Sequence, residues 1–286
     1  MSFDIGEAAA LLGRTETRAA DVHPEPAQLL QATLDRDIGS FKTGAPLPLL
    51  WHWLYFPPLI RQSRLGEDGH TRDSSLLPVV PFLPRRMWAG SRLRSAAPLH
   101  IGDRLTRRSE VTSLTPKVGS SGRLLFVTIR HTLADSAGGS VIEEQDIVLR
   151  EPAGRSTPPS RPAASASWDF EHVVTPTPTL LFRFSALTFN AHRIHYDHPY
   201  ATEVEGYEGL VVHGPLIAIL MLDLVDRVTP GAFVSSFDFK AVNPAFVPHP
   251  LAVRAKTTAD GFALRVESAG RIASIGTATA PRPLKD

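Results

Sequence analysis

Twelve residues from Arg94 to Leu105 (Arg-Ser-Ala-Ala-Pro-Leu-His-Ile-Gly-Asp-Arg-Leu) align without a gap with Lys240 to Leu251 (Lys-Ala-Val-Asn-Pro-Ala-Phe-Val-Pro-His-Pro-Leu), each position 146 after its counterpart. Alternating sequence follows each copy, in Thr106 to Thr112 and in Ala252 to Thr258, where charged or hydroxyl residues interleave with apolar ones as they do along half-buried strands. Between the copies, Glu151 to Trp168 is a Pro, Ser and Ala mixture without periodic apolar positions, the composition of an extended linker. The chain therefore reads as two similar units, 1–150 and 169–286, joined by 151–168.

More strand patterns follow in parallel order. In the first unit they are Leu124 to Leu133 and Ser140 to Arg150, with Ala134 to Gly139 as the turn between them; in the second they are Phe262 to Ser268 and Ile272 to Ala280. A helix is expected from Pro215 to Val228, since Leu216, Ile219, Leu220, Leu224 and Val228 recur at helical spacing and Pro215 suits a first helical position. It is apolar nearly all round, so it belongs inside the protein. The first unit has no equally clear copy, and Pro46 to Leu54 is its only degenerate candidate. The fold class is α+β with antiparallel sheets.

Composition narrows the function by exclusion. Lys and Arg number 30 against 29 Asp and Glu, so no global basic field invites nucleic acid or an anionic membrane. The absence of cysteine removes disulfides, thiolate nucleophiles and Cys-based metal sites. Leu210 to Val225 is too short to span a bilayer and contains Asp223. Met1 to Glu7 resembles neither a secretory signal nor a transit peptide, and a cytoplasmic location is expected.

The chemistry concentrates in Phe184-Ser-Ala-Leu-Thr-Phe-Asn190-Ala-His-Arg-Ile-His195-Tyr-Asp197, followed by Val212-His213-Gly214-Pro215. This run resembles the hydratase motif of the MaoC-like, R-specific enoyl-CoA hydratases, and its wording is similar to their hydroxyacyl-thioester dehydratase type 2 branch, which includes mesaconyl-C4-CoA and itaconyl-CoA hydratases. Trp51 to Pro57, Leu65-Gly66-Glu67-Asp68-Gly69-His70, Pro84 to Gly90 and Lys117 to Gly122 extend the likeness over most of the chain. The resemblance implies a double hotdog, two antiparallel sheets each wrapping a central helix, that adds water to an unsaturated acyl-CoA. Coenzyme A would enter as part of the substrate, with no separate cofactor, and the habit of the fold makes a homodimer the expected assembly.

In that motif a carboxylate and a histidine five residues later hold the water. Here the carboxylate position is Asn190, whose amide cannot take a proton. His195 is the candidate base, because imidazole titrates nearest neutrality; Asn190 holds either the water or the thioester. Gly214, opening the helix, offers its N–H to the developing enolate oxygen. Arg85 and Arg86 are candidates for the free carboxylate of a dicarboxylic acyl group or for the phosphates of coenzyme A, with a solvated pair as the plain reading. His213 and Arg193 complete the expected substrate contacts. His192, His195 and His198 recur every third residue, a poor geometry for a metal, and no metal is expected. Three other readings stay open: a dehydratase acting on 3-hydroxyacyl groups of an acyl carrier protein, a hotdog thioesterase, and a non-catalytic thioester-binding module. The thioesterase lacks the acid it would need near the helix start, since Pro215 to Leu222 are all apolar.

Overall fold

The computed structural model describes residues 4–39, 41–71, 74–119, 122–152 and 167–281. Of the expected linker, residues 153–166 lie outside the described residues. In chain order the elements are β1 (Thr15–Asp21), α1 (Pro24–Thr33), β2 (Pro46–Leu47), β3 (Arg85–Ala97), β4 (Leu99–His100), β5 (Arg104–Gly119), β6 (Gly122–Ala134) and β7 (Ser140–Arg150). They continue with β8 (Phe170–Val174), α2 (Pro178–Thr188), α3 (Gly214–Val228), β9 (Ser236–Ala241), β10 (Leu251–Thr257), β11 (Gly261–Ser268) and β12 (Arg271–Thr279).

Ten strands form one antiparallel sheet in the order β1-β5-β6-β7-β3-β9-β12-β11-β10-β8. Equivalent strands are met from either edge: β1 matches β8, β5 matches β10, and so on to β3 and β9 at the centre. The repeat is the seam of this symmetry, since Arg94 to Leu105 runs from the end of β3 into β5 and Lys240 to Leu251 from the end of β9 into β10. At the junction β3 pairs with β9, Gly90 opposite Lys240 and Arg94 opposite Ser236. A Cβ on Gly90 would lie 2.2 Å from Phe239 O, so only glycine lets the two backbones close here.

The two halves are not alike inside. In the second, α3 is wrapped by β8, β10, β11 and β12, and every residue from Leu216 to Val225 is buried. Each large apolar side chain so placed contributes roughly 2 kcal/mol relative to exposure. The exception to its apolarity, Asp223, accepts from Arg36 Nη1 at 3.1 Å and from Arg227 Nε at 2.7 Å, which ties the segment after α1 to α3.

Among the described residues the first half has no such central helix, its one α-helix being α1. Its 48–84 segment carries Pro57, Pro58, Pro78, Pro81 and Pro84, which withhold backbone donors and interrupt helical runs. The expected degenerate copy folds instead as β2 and a short 3-10 turn, Trp51–Tyr55. That turn leans on the sheet: Trp53 Nε1 donates to Glu143 Oε2 of β7 at 2.9 Å, and the Trp53 ring meets Trp88 of β3 edge-on. Between this segment and the sheet lies a cavity of about 280 Å³, lined among others by His52, Trp53, Arg86, Arg107, His131 and Glu143. Among the described residues no helix is long and apolar enough to cross a membrane.

Candidate active site

The motif begins at the end of α2. Thr177 caps the helix by accepting from Leu180 N–H, and Phe189, at φ 51°, turns the chain back in the left-handed region. A non-glycine residue there costs about 1 kcal/mol; Asn190 N–H donating to Ser185 O at 2.8 Å holds the reversal. The chain then enters a 3-10 turn, Arg193–His195, that ends on the candidate base.

His195 is fixed from the segment that leads into α3. Val211 N–H donates to Ile194 O at 2.9 Å, and Val211 O accepts from His195 Nδ1 at 2.7 Å. Since a carbonyl can only accept, Nδ1 carries the hydrogen and Nε2 presents a lone pair with no protein partner among the described residues. Burial lowers the pKa of His195 to about 4, outweighing the bond to Val211, so at neutral pH the ring is the free base.

His213, expected to touch substrate, is instead fully enclosed. Its ring stacks on His195 at 3.6 Å and 19°, and its Nε2 lies 2.8 Å from Ser185 Oγ of α2. Burial holds it well below the ordinary histidine pKa, so the ring beneath His195 is a neutral support. Gly214 follows as the first residue of α3, its N–H without an intrahelical acceptor and Pro215 beyond it without a hydrogen to give. A Cβ built on Gly214 meets no atom within 4 Å, so the protein leaves room beside its Cα.

Asn190 is half-buried beside the same turn, and its Oδ1 accepts from His192 N–H at 3.0 Å. Part of its acceptor capacity is thus spent on the backbone. Arg193 is engaged elsewhere: Nη2 donates to Asp197 at 2.7 Å, Nη1 to Glu67 O at 3.1 Å, and the guanidinium lies 4.0 Å over the Tyr200 ring. Arg85 is paired with Glu205 and donates to Val204 O at 3.2 Å. Arg86 is the least engaged of the four expected contacts, though the nearby Asp68 carboxylate attracts its charge. It makes no ion pair or hydrogen bond among the described residues, its Nε is sealed without a partner, and it lines both the 280 Å³ cavity and a small cleft with Asp68, His192 and Tyr207.

The every-third histidine set is not assembled, because His198 is exposed while His195 is buried. A different cluster stands beside His195. His192 meets it edge-on at 5.4 Å, and His70 lies 4.0 Å from His192 and bonds Asp68. Asp68, His70 and His192 have metal-like spacing, but the Arg86 guanidinium beside them opposes a cation. His70 and Asp68 stood in a quoted stretch of the sequence without a role; Arg107, whose Nε is also sealed in the cavity wall, gave no sequence signal.

The profile of a family described as hydroxyacyl-thioester dehydratase type 2 matches residues 50–247. The chain is 42% identical to the mesaconyl-C4-CoA hydratase of Chloroflexus aurantiacus, over 90% of this chain and 92% of that protein. It is 33% identical to the mitochondrial hydroxyacyl-thioester dehydratase type 2 of Schizosaccharomyces pombe, over 77% of this chain and 79% of that one. In architecture it resembles a Mycobacterium tuberculosis protein described as a double hotdog, with a TM-score of 0.54 at 17% identity over 94% of this chain and 96% of the other.

Proposed function

Because this chain belongs to the hydroxyacyl-thioester dehydratase type 2 family, we propose that it is a hydro-lyase that reversibly adds water to an α,β-unsaturated acyl-CoA, with short dicarboxylyl thioesters such as mesaconyl-C4-CoA as its class of substrate. The observation that carries the reading is His195, a neutral imidazole with a free Nε2, stacked on the residue that precedes Gly214, whose N–H opens α3 without an intrahelical acceptor.

In the hydration direction Nε2 takes a proton from water as the oxygen bonds the β-carbon. The π electrons move toward the thioester oxygen, where the Gly214 N–H and the positive end of α3 stabilise the enolate. The imidazolium returns the same proton to the α-carbon, so water is added with no redox change and no cofactor beyond the coenzyme A of the substrate. His213 keeps the ring in place from below, and Val211 keeps its tautomer.

Arg86 supports the dicarboxylate class. A half-buried guanidinium that makes no ion pair or hydrogen bond among the described residues, with Asp68 its nearest attracting carboxylate, matches a terminal carboxylate in charge and geometry. Arg107, His131 and Gln145 share the cavity wall with it, beside Glu143 and the apolar Trp53, Leu76, Leu77 and Ile129, so Arg86 is a charged anchor in a mostly apolar lining. A thioesterase would need a free acid near Gly214, whereas the first acid of α3, Asp223, is held by Arg36 and Arg227. The test is a comparison of mesaconyl-C4-CoA, itaconyl-CoA and crotonyl-CoA with wild type and Arg86→Met. Loss of a charge-assisted pair worth about 2 kcal/mol lowers kcat/KM roughly thirtyfold for the two dicarboxylyl substrates. Crotonyl-CoA should be unaffected, and an equal loss on all three would remove Arg86 from the acyl site.

A further inference from the structure

The motif resembled by this chain holds its water between a carboxylate and a histidine, and here the carboxylate is the amide of Asn190, with one acceptor site given to His192 N–H. A replacement stands within reach of the same histidines. The turn from Leu65 to Thr71 is closed by a bridge between its ends and by Gly66 N–H on His70 O at 2.6 Å. It is seated directly on the motif: Arg193 N–H donates to Asp68 O at 2.9 Å and Arg193 Nη1 to Glu67 O at 3.1 Å. Gly69, at φ +86°, sits so close that a Cβ would lie 1.8 Å from Ala191 O. A surface turn of the first half is therefore fastened to the catalytic turn of the second by contacts no other residue at 69 would permit.

What the seat presents is a carboxylate and a histidine. Asp68 accepts twice from His70, from its N–H and from its Nδ1, each at 2.9 Å. The carboxylate therefore fixes the hydrogen on Nδ1 and leaves Nε2 as an acceptor, the tautomer that Val211 imposes on His195. Burial and the neighbouring Arg86 hold His70 below its ordinary pKa, against the pull of Asp68, so the ring is neutral. The His70 ring lies 4.0 Å from that of His192, which in turn meets the His195 ring edge-on at 5.4 Å, so the three imidazoles form one contiguous cluster.

We propose that His70, oriented by Asp68, is the second arm of the water site: its Nε2 accepts one hydrogen of the water while Nε2 of His195 takes the other as a proton. His70 is then a catalytic residue contributed by the first half, and Asp68 is its positioning residue. The proton ledger is that of His195 alone, because His70 accepts a hydrogen bond and neither gains nor loses a proton.

This inference rests on the hydratase reading, and the two fail separately: a wild-type protein that hydrates no enoyl-CoA sinks the reading, whereas wild-type hydration with an indifferent His70 sinks this inference alone. The experiment measures kcat, KM and melting temperature on mesaconyl-C4-CoA for His70→Ala, His70→Gln, Asp68→Asn and His70→Ala combined with Asn190→Asp. His70→Ala is expected to lose about a hundredfold in kcat with KM within threefold, the scale of a general acid–base partner. Asp68→Asn, which releases the tautomer, loses at least tenfold. Gln at 70 retains an acceptor and recovers part of the loss, and so does the carboxylate restored at 190. A kcat for His70→Ala within threefold of wild type overturns the inference, as does a deficit that neither Gln at 70 nor Asp at 190 relieves. Should His70→Ala not fold, Asp68→Asn and His70→Gln decide: kcat in both within threefold of wild type overturns it.

Discussion

Replacing Gly214 by alanine separates the role of this residue in chemistry from any role in folding. Gly214 opens α3 outside the left-handed region, and the added Cβ would meet no protein atom within 4 Å. Nothing in the protein resists the methyl group, and the narrower unfolded ensemble of alanine should stabilise the fold by about 0.5 kcal/mol. The same open space is where a thioester oxygen must come within hydrogen-bonding distance of the Gly214 N–H. A methyl group there displaces the oxygen and forfeits a large part of a donor worth about 3 kcal/mol, which corresponds to a loss of roughly a hundredfold in kcat. Steady-state hydration of mesaconyl-C4-CoA beside a thermal melt gives both numbers. An alanine variant as active as wild type would refute the assignment of Gly214, and one that is inactive because it is unfolded would refute the reading of its open surroundings.

Further expectations follow from the same geometry. With the pKa of His195 at about 4, kcat/KM should stay flat from pH 7 down to pH 5.5, where a base titrating at the ordinary 6.5 would already have lost about tenfold. The same depression acts on stability: between pH 6.5 and about 4 the unfolded chain binds a proton at this histidine that the folded chain refuses. Stability present above pH 6.5 is therefore lost as the pH falls toward 4, by roughly 3 kcal/mol for this residue, of which about 2 is gone by pH 5; urea unfolding at pH 7 and 5 measures that part, and equal midpoints would contradict it. Gly69→Ala, which forces a Cβ against Ala191 O, should lower the melting temperature by several degrees and kcat more than tenfold, since it lifts the 65–71 turn off the motif. Glu143→Ala should cost more than 3 kcal/mol in denaturant unfolding, because it strips the acceptor shared by His52, Trp53 and Ser91 in the buried wall of the first half.

Much of this was legible from residues that act locally. β5, β6, β7, β10, β11 and β12 follow from their alternation and α3 from apolar residues on nearly every face, whereas β1, β3, β8 and β9 were not read from the sequence. The repeat at Arg94 and Lys240 marked equivalent positions in the two halves, but not that β3 and β9 pair to join them in one sheet. His195 and Gly214 stand out in two short runs of the sequence, and the fold brings those runs together by stacking His195 on His213; their roles are proposals. What escaped was set by contacts distant in sequence. Helix α1, which buries Ala27, Leu30 and Gln31, packs on α2, some 150 residues further on, as well as on the Trp51–Tyr55 turn, and its own pattern is weak. His213 read as a substrate contact until its burial under His195 was seen. Arg85 and Arg86 are neighbours with the same charge, and only the position of Glu205 tells which one is neutralised. The approach of Asp68 and His70 to His195 depends on one glycine fitting over Ala191, a match of two surfaces that no periodicity encodes.

The most direct test follows the absorbance of the enoyl thioester and the release of free thiol together, for wild type and His195→Asn, on mesaconyl-C4-CoA. Asparagine can still donate to Val211 O but offers no basic nitrogen. The account predicts absorbance loss without thiol in the wild type, and in the variant a loss of at least a hundredfold in rate with a melting temperature within a few degrees. Thiol release by the wild type, or hydration by a folded His195→Asn at an undiminished rate, would contradict it.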